Sequence, residues 1–556
     1  MTVNPAMGRE GQSMPARPGA VVSTAPDVVT GWTGRTACAL QKALRMSNEG
    51  FAAHLCIGVR TVADWHSDPG MRPQTEKQQH LDIAFARATP DEKARFAVLT
   101  GQSPLMAGAR RADSGAAADA ERRLVTDENI AGALGRLDML AGWEPGTARR
   151  QAGERLAGLD RGDVLDRAGR RRRIGRRRVA DALGSDYGGQ AAEHGRYGAL
   201  CGGDGTEVVT SVFTCPEWLD LDCALTAAHD RLTLNGPPEA GDVPLDSVAA
   251  GAAVQRLAET LAAGTRFVDM PLYRLTDIST GKGSVGGSLG ITQFASYALT
   301  LDLLEGELSD ALSAGVPPEP GSLPLRDRYL PDLASVLGVA DRVCAGGPLA
   351  LCAFARPSDP YRGPADYVLL LQERSGSVVN AARQLAVIPK GFHQPLTDFR
   401  GDAKIAATLR REMEEELFGR DDIDNTVTQN HAADPMHPAR LSEPMRWLLT
   451  ENPGALRMEC TGFGLNLVSG NFEYACLIVI DSEDFWYRFG GKIEACWESS
   501  SLRQYSSLDA VSLSALACDD AWSNEGLFAF FQGLRRLSRV GGDRIDIPAI
   551  DWMVRP

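Results

Sequence analysis

The sequence predicts a multidomain protein of α and α+β parts, helical in front and mixed behind, and three observations carry that expectation. The chain has 556 residues, well past the length at which a single core stops growing and chains divide into domains. Apolar residues recur at helical spacing through 31–100 and 121–200, whereas short apolar runs bounded by Gly and Pro recur after residue 200. Charge divides at the same place, with a net +6 over residues 1–200 and −20 over the rest.

Composition bounds the class. With 44% hydrophobic and 23% charged residues, the chain reads as an ordinary soluble protein. No apolar run approaches the roughly 18 residues that span a bilayer, so no membrane partner is expected. Residues 1–30 are rich in Pro, Gly, Ser and Ala, carry Arg9 and Arg17, and lack a signal-peptide core; a disordered tail is expected there. Eleven cysteines are dispersed with no Cys-x-x-Cys spacing. That set fits reduced thiols, and hence a cytoplasmic protein, better than a disulfide framework or a zinc site.

Residues 38–65, CALQKALRMSNEGFAAHLCIGVRTVADW, carry the first motif. A helix ending near Leu44 is followed by Ser47, a strong N-cap, and Met46 can staple to Phe51. Phe51, Ala52 and Leu55 give one apolar face, Cys56 to Gly58 a tight turn, and Val59 to Trp65 a second helix with Val62 and Trp65 inward. Two short helices joined this way form a helix-turn-helix. The segment resembles the Cro/repressor (Xre) type of DNA-binding domain in Ser47, Ala52, the Leu55–Ile57 turn, Thr61 and Val62. The resemblance implies contact with double-stranded DNA through Ser47, Asn48, Val59, Arg60 and Thr61, and makes a homodimer on two half-sites an expectation. Asp64 stands where a basic residue is common. A further helix from Gln74 to Ala88 would complete a domain over 31–100.

Residues 101–120 read as a Gly/Ala/Ser linker. From 121 to 200 the pattern is helical, with Ile130, Leu134, Leu137 and Leu140 on one face. It closes on GRRRRIGRRR, where Arg171, Arg172, Arg176 and Arg177 are candidates for phosphate contact. A solvated basic face and a clamp on the acidic back half are the alternatives. Residues 201–345 form an α+β segment without a phosphate-binding fingerprint, since GKGSVGG (281–287) lacks the strand-to-helix context such motifs need. Expected there are a strand at 208–213, helices at 246–263 and 301–312, and a loop at Arg326–Arg328.

The second motif is AKIAATLRREMEEELFGR, residues 403–420. Glu412, Glu415 and Glu416 fall within reach of one another on a helix, and a hard divalent cation such as Mg²⁺ would relieve their repulsion. A solvated acidic face with Arg410–Glu414 and Arg411–Glu415 pairs is the plainer expectation. Upstream lie strands at 367–371 and 385–388 and a Pro389-x-Gly391 loop. Strand, strand, loop and Arg411-Glu412-Met413-x-Glu415-Glu416 together resemble the Nudix fold, whose box ends in Arg-Glu-aliphatic-x-Glu-Glu-x-Gly. The family's earlier Glu is Ala403 here, and the closing Gly comes one residue late, at Gly419.

That resemblance implies an α/β/α sandwich over 346–540, leaving 541–556 as a tail. It further implies a metal held by Glu412, Glu415 and Glu416 and a nucleotide-like ligand. Two strands around Ser469-Gly470-Asn471 and a helix at 522–537 would complete the domain. Between them, 421–443 reads as a polar insertion with His431 and His437. The two motifs together predict a DNA-binding transcriptional regulator with a Nudix-like sensor. The alternative is a Nudix pyrophosphohydrolase with an accessory helical domain.

Overall fold

The structure is a computed structural model. It describes residues 32–55, 57–67, 70–100, 107–187, 193–201, 205–235, 244–374, 384–420, 434–493 and 499–556. The tail 1–30, Cys56, the segment 101–106 and His431 lie outside the described residues. The chain divides into two compact units, Met1–Ala112 and Asp113–Pro556.

The first unit is helical: α1 (Gly34–Ala43), α2 (Asn48–His54), α3 (Val59–Ser67), α4 (Thr75–Arg87) and α5 (Pro90–Leu99). Leu40, Phe51, Val62, Trp65 and Leu81 close its core, as the apolar spacing of α2 and α3 requires. Trp32 joins them, its ring against Phe85 and Phe96 and its indole N–H donating to Asp82 at 2.7 Å.

Much of the expected linker is helical instead, within α6 (Ala107–Thr126). Seven alanines and the arginines around them outweigh Gly108 and Gly115, because alanine has the highest helix propensity. The second unit continues with α7 (Glu128–Leu140), α8 (Thr147–Gly158), α9 (Arg161–Arg172) and α10 (Arg176–Asp186). Asp127 and Asp160 cap α7 and α9 by accepting backbone N–H bonds, and the Ile130–Leu134–Leu137–Leu140 stripe is buried.

Next come β1 (Gly195–Cys201), β2 (Thr206–Thr214), β3 (Leu219–Ala224), β4 (Asp230–Leu234), α11 (Ser247–Ala263), β5 (Pro271–Ile278) and β6 (Val285–Gln293). Then follow α12 (Phe294–Ala298), α13 (Leu303–Ser313), α14 (Pro324–Tyr329) and α15 (Leu333–Leu337). Arg326, expected in a loop, is on α14 and 1% exposed, donating to the carbonyls of Leu467 and Val468. The remainder is β7 (Gly346–Arg356), β8 (Asp366–Arg374), β9 (Leu385–Val387), α16 (Ile405–Glu416), α17 (Glu443–Arg446), β10 (Leu456–Asn466) and β11 (Phe472–Ile480). The chain closes with α18 (Glu483–Phe489), β12 (Ser499–Ser506), α19 (Ala510–Ala517), α20 (Asn524–Val540) and β13 (Ile550–Arg555).

The large sheet runs β12-β8-β7-β11-β10-β2-β1-β13, with β3 on β10 and β9 on β8; β4-β6-β5 form a second sheet. Segment 201–345 therefore contributes β2 and β3 to the sheet built by the residues after it. The expected C-terminal tail is β13, antiparallel to β1 from Arg196–Arg555 to Cys201–Ile550. β11 shows how the layers arise. Tyr474, Cys476 and Ile478 face a cluster with Leu409 and Met413 of α16, while Ala475, Leu477 and Val479 face one with Phe528 and Phe531 of α20. Alternation along a strand covered on both faces puts one helix on each side.

Candidate nucleic-acid interface and the acidic helix

In the first unit, Ser47 caps α2, its hydroxyl accepting the Gly50 N–H at 3.1 Å. Asn48 follows as the first helical residue and is half-buried. The first turn of α3 presents Val59, 43% exposed, with Arg60 exposed and Thr61 half-buried. Val62 and Trp65 on its other side are 0% and 1% exposed. Helical periodicity thus gives α3 one face for the core and one for solvent. Asp64 is exposed as well.

The arginine cluster separates into two groups. Arg171 is bidentate to Asp310, at 2.6 and 2.5 Å. Arg176 is 4% exposed, donates to the Val209 carbonyl at 2.8 Å and lies 3.6 Å from Asp520. These two are clamps within the second unit: each guanidinium is fixed by a carboxylate or a buried carbonyl of that unit, which also offsets its charge, rather than standing open as the phosphate-contact expectation has it. Arg178 likewise donates to Leu312 O. Arg172 and Arg177 are exposed, Arg177 with Asp181 at 3.9 Å.

On α16 the carboxylates are interior. Glu412 is 7%, Glu414 0%, Glu415 8% and Glu416 2% exposed, so the expected solvated face is absent. Glu412, Glu414 and Glu416 are tied to the surrounding loops. Glu412 takes the Arg411 guanidinium at 2.5 Å, and Arg411 also donates to the carbonyls of Phe392 and Gln394. Glu414 turns to the Ser442 N–H at 2.9 Å rather than to Arg410. Glu416 accepts the Lys390 N–H at 2.7 Å and the Gln372 amide at 3.4 Å. Gly391 lies close under the Arg411–Glu412 pair, and a Cβ on it would push the Glu412 carboxylate aside. Ala403, where the Nudix box has Glu, is fully buried and its carbonyl accepts from His393. Burial drives the His393 pKa down to about 3, so the ring is neutral, fixed between Thr408 and Ala403.

A second polar group, unforeseen from sequence, gathers where α20 begins. Lys390 Nζ lies 2.6 Å from Glu525, and Asn466 donates to the same carboxylate at 3.4 Å. Asn524 accepts the Ser211 N–H at 3.0 Å. Glu473, 5% exposed on β11, is pushed up to about 8 by burial, with Lys390 pulling it back and Glu525 adding to the rise. Glu525 stays low because Lys390 overcomes the cost of its burial. These residues come from β2, β10, β11, α20 and the loop after β9, so no local pattern announces them.

Fit to a metal follows from the donors. Among the described residues no group of three His, Cys, Asp or Glu side chains is arranged to hold a metal ion, and Glu412 and Glu416 are already engaged by donors. The set on α16 does not fit Mg²⁺. His437 is exposed and its ring accepts the Ala439 N–H. Nine described cysteines are free thiols, eight of them buried. Among the described residues no helix is long and apolar enough to cross a membrane. No family model matches the chain, and no curated protein matches it.

Proposed function

We propose that the protein is a DNA-binding transcriptional regulator that docks α3 of its first unit in the major groove of double-stranded DNA. The observation that carries this is the division of α3: Val62 and Trp65 are buried in the core while Val59 and Arg60 are left to solvent. A helix held by its inner face, with a cation and an apolar group on the first outer turn, suits base-edge and methyl contacts. The second unit is the sensor in this proposal, Nudix-like in the order of β8, β9 and α16, with a nucleotide-like small molecule as its ligand. Its acidic helix is a scaffold that ties loops together. No observation favours the pyrophosphohydrolase reading, which asks for three carboxylates turned toward one cation.

The experiment is selection of bound sequences by the full chain from a pool of random duplexes. Enrichment of a defined motif, lost in Arg60→Ala, is the expected result. Recovery of sequences no different from the starting pool overturns the proposal.

A further inference from the structure

We infer that Gln41 is a positioning residue for the proposed interface, one that turns the amide NH₂ edge of Asn48 outward to donate to a phosphodiester oxygen. The inference rests on the DNA-binding reading. Gln41 is on α1 and 5% exposed. Its side-chain amide lies 3.2 Å from the Met46 carbonyl oxygen. A carbonyl oxygen only accepts, so the Gln41 atom facing it is the nitrogen Nε2. The second hydrogen of that nitrogen goes to Asn48 at 2.8 Å, and the atom receiving it has to be the Asn48 oxygen Oδ1. One backbone carbonyl thus fixes the orientation of two side-chain amides.

The rest follows by elimination of partners. Gln41 Oε1 accepts from His66 Nε2 at 2.7 Å, so that ring nitrogen carries the hydrogen and the last turn of α3 is held by the same amide. Asn48 Nδ2 faces away from α1 and has no hydrogen-bond partner among the described residues. It stands next to Ser47 on the half-buried start of α2. An NH₂ group there attracts a phosphate oxygen, whereas the flipped amide would present a carbonyl oxygen and repel it. Gln41 is the side chain that chooses between the two.

The test uses the full chain and a short random-sequence duplex at low salt, since a phosphate contact needs no particular sequence. Asn48→Ala and Gln41→Met are each expected to weaken binding about ten- to a hundredfold, the size of one hydrogen bond to a charged group. The double variant is expected to bind no more weakly than either single one. Gln41→Met overturns the inference if it acts with the same factor in the Asn48→Ala background, or leaves binding unchanged. Asn48→Asp keeps the acceptor toward Gln41 and does not disturb the buried amide, so it guards against a Gln41→Met chain that fails to fold. It is expected to melt like the wild type and bind more weakly than Asn48→Ala; binding as tight as Asn48→Ala overturns the outward orientation. A wild-type chain that does not bind the duplex at all removes the DNA-binding reading, and the role of Gln41 with it.

Discussion

Asp230 caps a helix that begins 175 residues further along the chain, its carboxylate accepting the Ile405 N–H at 2.7 Å. α16 has no side-chain cap of its own. Lys404 completes the joint by donating to the carbonyls of Asp230 and Leu232. The second, smaller sheet and the acidic helix are therefore one mechanical piece.

Asp230→Ala is expected to lower the stability of the second unit by about 1–2 kcal/mol, the usual cost of losing an N-cap. Urea unfolding followed by tryptophan fluorescence measures it. An unchanged midpoint would mean that water replaces the carboxylate at no cost.

Arg171→Gln and Arg176→Gln are expected to destabilise the chain and to leave the salt dependence of DNA binding as it was. Both guanidinium groups are held within the second unit, by Asp310 and by the Val209 carbonyl. Melting temperature and the slope of log affinity against log salt separate the two effects; a flatter slope would return these arginines to the DNA.

Ser47→Ala is expected to cost about 1 kcal/mol of first-unit stability through loss of its cap. Arg60→Ala, on the exposed turn of α3, should leave stability alone and weaken binding to a selected site by about 1–3 kcal/mol. Equal effects on melting and on binding in both variants would contradict this division of labour.

Glu473 gives the chain a pH dependence of stated sign. Burial raises its carboxyl to about 8 in the folded state, against an ordinary value near 4.5. The folded state then holds a proton that the unfolded state has released. This stabilising contribution is complete below the ordinary value and is lost as pH rises through about 8, with a slope of up to about 1.4 kcal/mol per pH unit. Glu473→Gln, which cannot ionise, is expected to flatten the stability profile between pH 5 and 8. A profile identical to the wild type would place the ionising group elsewhere.

Glu416→Ala is expected to destabilise by about 1–3 kcal/mol, since it strands the partly buried Lys390 N–H. Millimolar Mg²⁺ should not raise the melting temperature. A magnesium-dependent rise abolished by Glu415→Gln would restore the metal site.

Local rules reach some of this protein and stop at others. Ser47 as a cap, the buried Val62 and Trp65, the α7 stripe and strands β8 to β11 were legible because capping, helical period and strand alternation act within a few residues. Arg411-Glu412-Met413-Glu414-Glu415-Glu416 was legible as a helix, yet its burial was not: the residues that receive those carboxylates, Lys390, Gln372 and Ser442, are distant in sequence. The same limit hid β13, whose partner β1 is about 350 residues away in the chain, and the Lys390–Glu525–Glu473 group. Arg171 and Arg176 read as a basic run until Asp310 and Val209 were brought to them. For the elements just named, the sequence by itself determined the caps, the helical or strand period and which faces are apolar, because those follow from backbone geometry and side-chain spacing. Which charges are satisfied inside the protein and which remain for a ligand was decided only by the tertiary structure, because burying a charge requires a partner that chain proximity does not supply.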